Sequence, residues 1–371
     1  MRMRRFTLRR PFAARTKAPM KLAGHATRIA LAFALPILAP FAAVAAGSDA
    51  LLQRAQSLFR PLPKDLATSE FPVPGARVEL GRRLFFDPRI SLDGTVSCAR
   101  CHQPALYGTD GLAKPVGVKD RVNPRNAPTV LNAALQFVAH WHGDRANVED
   151  QATKALVGPP SFGNPSLQAA MAKVKAIPGY AGLFRAAFPA DADAVTAQNW
   201  GKAIGAYERT LVTPSPFDAY LSGDANALTQ AQKAGLAKFI DTGCAACHGG
   251  VGVGGAMYQK FGVVQDYWKE TRSAAIDKGR FDATGNPADL YVFKVPGLRN
   301  VAMTPPYFHD GSVERLEDAV RIMAKVQLGQ DLSKEDADSI VAFLGSLTGA
   351  LPETFRAVET LPPGTFAVAA H

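Results

Sequence analysis

A mostly α-helical fold, built as two successive halves with long irregular connections, is what the sequence predicts. Three observations predict it. The motif Cys-x-x-Cys-His occurs twice, at Cys98–His102 and Cys244–His248, each time after a short helix-like apolar segment. No long alternation of apolar and polar residues marks a sheet-forming strand. The 32 Gly and 27 Pro residues suit a chain whose connections are fixed by turns rather than by strand pairing.

The first 45 residues read as an address. They hold nine Arg and Lys and no Asp or Glu, and they run into an uncharged apolar stretch from Ile29 that ends Ala43-Val44-Ala45. A positive end, an apolar middle and a small-x-small site are the layout of a secretory signal. An uncleaved span needs about 20 apolar residues, and here Pro36 and Pro40 interrupt a shorter run. Cleavage near Ala45 or Ala46 and export to the periplasm are therefore expected, with no membrane span in the mature chain. The leader also explains the charge. The whole chain carries +10, but beyond the leader 33 basic residues face 32 acidic ones. A nearly neutral body gives no case for a nucleic-acid partner.

The helices follow in order. Gly81-Arg-Arg-Leu84-Phe85-Phe86 precedes the first motif, and Gly235-Leu236-Ala-Lys-Phe239-Ile240 precedes the second; the two segments resemble each other. Thr229 and Ser333 are placed as N-caps, the latter with Asp336 three residues on. Leu316, Ala319, Val320 and Met323 form one apolar stripe. Ile340, Val341, Phe343, Leu344 and Leu347 give the closing helix another.

Cys-x-x-Cys-His is the attachment signature of c-type haem. Two thiols on one helical turn reach the two vinyl groups of the porphyrin, and the adjacent His supplies the proximal iron ligand. A redox disulfide needs no following His, and a zinc cluster would draw together all four Cys, which here form two pairs 146 residues apart. Two covalent haems are expected, on Cys98 and Cys101 with His102, and on Cys244 and Cys247 with His248. The shared order of helix, motif and later helices predicts two cytochrome c-type domains, residues 46–225 and 226–371, each wrapped round one haem.

With these motifs in hand, the chain resembles the bacterial di-haem cytochrome c peroxidase and MauG family over roughly residues 70–350. The resemblance rests on Leu80-Gly-Arg-Arg-Leu-Phe-Phe-Asp-Pro-Arg89, Ser97–His102 and Arg125-Asn-Ala-Pro-Thr-Val-Leu-Asn132. It continues through Phe217-Asp218, Phe293-Lys-Val-Pro-Gly-Leu-Arg-Asn300, Pro306-Tyr-Phe-His-Asp-Gly311, Gln327-Leu-Gly329 and Leu344–Gly349. It implies that peroxide reacts at the N-terminal haem and that electrons from a small cytochrome c or cupredoxin enter at the C-terminal one. It implies Met323 as the second ligand of that entry haem; from the residues alone Met323 could be a core methionine, and Met171, Met257 and Met303 could also reach an iron. It further implies catalytic roles for Trp141, between the haems, and Gln151, a calcium ion held partly by the carbonyls of Asn126, Thr304 and Pro306, and a possible homodimer. Trp141 has packing as its alternative role.

Two departures from the family pattern stand out. A His that caps the resting N-terminal haem is expected sixteen residues after His102, where this chain has Val118, as in MauG-type enzymes that lack the His; His140 or His142 could substitute. The family's acid–base Glu, expected about ten residues after Gln151, is absent, since no Asp or Glu occurs between Asp150 and Asp191. Glu149, Asp150, His142 or Gln151 could serve instead. The expected function is reduction of hydrogen peroxide. Its alternatives are MauG-like oxidation of a partner protein's side chain and a non-catalytic di-haem electron carrier.

Overall fold

In each half of the chain a helix leads into the motif and a later helix packs across it, and a glycine sits at each crossing. Helix α1, Gly75–Phe86, precedes the first motif. A Cβ on its Gly81 would lie 1.9 Å from the Ala203 carbonyl oxygen of α3, Ala197–Glu208. Helix α4, Gln230–Asp241, precedes the second motif, and a Cβ on Gly235 would lie 1.8 Å from the Ser339 oxygen of α6, Lys334–Gly345. Only a residue without a side chain permits either approach. Gly235→Ala is expected to cost about 1–3 kcal/mol through overpacking. An unfolding midpoint equal to wild type would refute this.

The computed structural model describes residues 50–364. The expected leader, residues 1–45, lies outside them. The predicted caps are in place: Thr229 and Gln232 form a reciprocal capping box on α4, and the Ser333 hydroxyl accepts from the Asp336 N–H at 3.0 Å. Between these helices lie α2, Val148–Ala155, and α5, Leu316–Leu328, which stops at Gly329 in the left-handed region.

Among the described residues two large apolar cores result, beside two smaller clusters. Leu80, Leu84 and Phe85 of α1 meet Trp200, Ile204 and Tyr207 of α3 in the first. Leu236 and Phe239 of α4 meet Ile340, Phe343 and Leu344 of α6 in the second. Both ends of the described chain cross over: Ala55 and Phe59 pack into the second core, and Phe355 into the first. Arg89, fixed by the fully buried Asp87, also donates to the carbonyls of Pro362 and Gly364 at 3.1 and 2.8 Å.

The pairing of strands among the described residues is confined to β1, Tyr258–Lys260, and β2, Val292–Lys294, antiparallel with Tyr258 opposite Lys294. The mostly helical expectation holds. No described helix is long and apolar enough to cross a membrane.

Candidate functional site

The two Cys-x-x-Cys-His segments fold alike. In each, the His N–H donates to the carbonyl of the first Cys at 3.0 Å, from His102 to Cys98 and from His248 to Cys244. In each, a positive-φ glycine six residues later returns its N–H to the residue after the His: Gly108 to Gln103 at 2.9 Å, Gly254 to Gly249 at 2.8 Å. Nδ1 of His102 donates to the Gly108 carbonyl at 3.0 Å, which leaves Nε2 as the free ring nitrogen. Such a bond fixes the tautomer and ring direction of a metal-ligating His.

His248 is half-buried with its Nδ1 sealed from solvent, and that nitrogen faces the Val253 and Pro296 carbonyls without closing a bond of normal geometry. A Cβ on Gly254 would stand 2.9 Å from that nitrogen, so glycine is what lets the loop cross there. Burial pushes His248 down to about 4 and lowers His102 as well, so both imidazoles are neutral at pH 7 and able to bind iron. All four thiols are unpaired, and burial pushes Cys101 and Cys244 up to about 11. Protonated thiols are poor metal ligands.

The second motif opens onto a cavity of about 250 Å³ lined by Cys244, Cys247, His248 and Met323, with Phe239, Leu344 and Val320 among its apolar walls. A preformed apolar cavity, an imidazole and a thioether facing it, and paired thiols at its edge fit a covalent haem. Of the other candidate methionines, Met171 is buried in the first core, Met303 is exposed, and neither they nor Met257 line this cavity.

Trp141 lines the same cavity and is held at both ends. Its Nε1 donates to the Asn126 carbonyl at 2.9 Å, and its own carbonyl accepts from the Lys294 N–H of β2 at 2.8 Å. The Asn126 N–H in turn donates to the His309 carbonyl at 2.7 Å, and the His309 ring meets the Trp141 ring edge-on at 6.3 Å. Asn126, Thr304 and Pro306 line the cavity too. Among the described residues no three His, Cys, Asp or Glu side chains gather as a metal cluster.

The remaining candidates separate. Glu149 is buried and committed to Arg209, which donates from Nε at 2.7 Å and from Nη2 at 3.1 Å. Asp150 accepts from the Ala146 N–H and from Lys154, holding the start of α2. Gln151 is half-buried on that helix. His140 is joined through Nδ1 to Asp144 at 2.8 Å, and His142 through Nδ1 to Arg125 at 3.2 Å.

Val118 is fully buried. The segment that lacks the family's Glu lies over it. The Val118 N–H donates to the Ser161 carbonyl at 3.2 Å, Asn123 Nδ2 donates to the Pro160 carbonyl at 2.8 Å, and a Cβ on Gly163 would fall 2.5 Å from the Val118 side chain. The two departures from the family pattern thus pack against each other.

Three residues were given no role by the sequence, although two of them, Lys294 and His309, stand inside motifs that carry the resemblance. Lys294 and His309 line the cavity, yet nothing in a single Lys or His signals burial. The third is Glu208, buried at the end of α3 near Cys98. Burial and then the Glu149 carboxylate push it up to about 8, with Arg209 opposing. The folded chain therefore holds a proton between about pH 4.5 and 8 that the unfolded chain has lost, and this group's contribution to stability falls as pH rises through that window. Glu208→Gln is expected to remove that fall, making the variant more stable than wild type above pH 8. Unfolding curves of the two proteins that stay parallel from about pH 4 to about pH 9, a range that spans both pKa values, would refute it.

Comparison with known proteins gives concordant findings. Residues 75–226 match the family described as di-haem cytochrome c peroxidase. The chain is 42% identical to cytochrome c551 peroxidase of Pseudomonas aeruginosa, over 85% of this chain and 91% of that one. It is 43% identical to cytochrome c551 peroxidase of Nitrosomonas europaea, over 77% and 83%. Among solved structures, a MauG-like protein associated with microbial copper homeostasis matches with a TM-score of 0.68 and 28% identity, covering 80% of this chain and 95% of that one.

Proposed function

This chain belongs to the di-haem cytochrome c peroxidase family, a family of peroxidase-type oxidoreductases, and from that premise we propose that it is an exported enzyme that reduces hydrogen peroxide with electrons from a small cytochrome c or cupredoxin. The observation that carries the reading is the convergence of Cys244, Cys247, His248 and Met323 on one apolar cavity, with Trp141 on its wall.

When bound, two c-type haems supply the redox chemistry, accepting electrons at one iron and passing them to peroxide at the other. The chain's own residues do the rest. Cys98 and Cys101 hold one haem and Cys244 and Cys247 the other, in domains spanning residues 46–225 and 226–371. His102 and His248 each present a neutral imidazole whose direction the loop sets. Met323 faces the cavity from α5, where a soft thioether favours a high potential and suits the entry site. Trp141, anchored at Asn126 and Lys294, is the aromatic step between the two sites. Gln151 serves the peroxide side of the N-terminal site, and the carbonyls of Asn126, Thr304 and Pro306 supply hard oxygen ligands for one calcium ion. A MauG-like second reading draws on Val118, because a site with no capping His is open to reaction on a partner protein.

The test is steady-state turnover of peroxide with a reduced small cytochrome, run beside intact mass of the purified protein. Mass above the mature polypeptide by two haems, with peroxide-dependent oxidation of the donor, is expected. A mass increase of one haem or none, or two haems with no turnover, would refute the proposal.

A further inference from the structure

The cavity beside His248 holds a charge that the chain leaves unbalanced. Lys294 lines it and is 3% exposed, yet no Asp or Glu pairs with it or lines the cavity among the described residues. The other buried cation there, Arg299, is already neutralised by Asp218, with both contacts at 2.9 Å. A lone ammonium withdrawn from water is costly unless an anion meets it. Its Nζ donates to the side-chain oxygen of Gln136, a neutral acceptor that holds the ammonium in place without discharging it. Burial alone pushes Lys294 down to about 8, which is what a buried amine without a counter-charge does.

We propose that Lys294, positioned by Gln136, binds a propionate of the porphyrin attached at Cys244 and Cys247. This rests on the haem reading above. The porphyrin of c-type haem brings its own carboxylates, and the cavity supplies a cation for one of them and no competing acid. Lys294 is at the same time the residue whose N–H donates to the Trp141 carbonyl at 2.8 Å. A single residue of β2 therefore ties the porphyrin's acid edge to the bridging tryptophan. The ion pair cancels a negative charge beside the iron, which favours the reduced state. Removing the ammonium leaves that carboxylate uncompensated and lowers the midpoint potential.

Lys294→Met and Lys294→Arg in the full-length mature protein test this, by spectroelectrochemical titration and by the propionate bending mode in resonance Raman. Lys294→Met is expected to keep both haems and the near-infrared methionine–iron band. Its midpoint shifts negative and its propionate mode moves; Lys294→Arg restores both. An unchanged midpoint and unchanged mode in Lys294→Met, with the methionine band intact, overturns the proposal. Should Lys294→Met fail to accumulate, Lys294→Gln takes its place, and a shifted or unchanged midpoint and mode decide the matter in the same way. A wild-type midpoint that follows chloride concentration while the propionate mode stays still overturns it in favour of a bound inorganic anion. A mass showing one haem overturns the haem reading itself, and so is separable from failure of this proposal.

Discussion

Met323→His is expected to keep the iron over His248 six-coordinate while lowering its midpoint potential by an amount on the order of hundreds of millivolts, since axial ligands tune haem potentials over about 0.8 V. The physical reason is the exchange of a soft thioether, which favours ferrous iron, for a more electron-donating imidazole. The structure makes the exchange a local one. Met323 lies on α5, facing the cavity from within the stripe of Leu316, Ala319 and Val320, and is only partly buried. A His there has room to point the same way. The near-infrared methionine–iron band should vanish, and donor oxidation should slow with the lost driving force. Survival of the band would sink the assignment and return Met171, Met257 or Met303 to contention.

Much of this site was legible because its chemistry is written in short spacing. Cys-x-x-Cys-His is a local device: a single helical turn and one adjacent ring place two thiols and an imidazole together whatever the rest of the chain does. Caps are equally local, which is why Thr229 and Ser333 stand where the pattern put them. Met323 sits 75 residues from His248 in sequence, and the residues alone left it level with a core methionine; the resemblance to a family selected it. The rest was decided by contacts that no periodicity encodes. Lys294 is buried because β2 closes on the segment carrying Trp141. Glu149 was a candidate acid–base group until Arg209 came to hold it from 60 residues away. The crossing of Ala55 and Phe59 into one core and Phe355 into the other is likewise tertiary, since an apolar residue in a loop does not say which core it joins.

The N-terminal site gives the other large expectation: the fully oxidised protein should be high-spin at the His102 haem and bind cyanide without prior reduction of its partner. A capped site must expel its ligand before peroxide enters, and a site that is open about 1% of the time binds about a hundredfold more weakly than one always open. In this chain the position of the cap is Val118, which no rearrangement can turn into an iron ligand. The surrounding structure is built for the valine. The 158–163 segment lies across it, its Ser161 and Pro160 carbonyls bonded to Val118 and Asn123, and Gly163 is bare where a side chain would strike Val118. The valine at the cap position and the segment without a Glu are therefore in direct contact, a loop closed over a small apolar residue. The two histidines that could replace the cap are each held through Nδ1, His140 by Asp144 and His142 by Arg125, so either would have to bind through Nε2, and in His142 that nitrogen already lies 3.5 Å from Asp144. His140 is the nearer rival, close enough to help lower the pKa of His102. A low-spin resting spectrum at both haems would therefore defeat the expectation. His140→Ala would then name the intruder: recovery of a high-spin signal assigns the cap to His140, and its absence assigns it to His142.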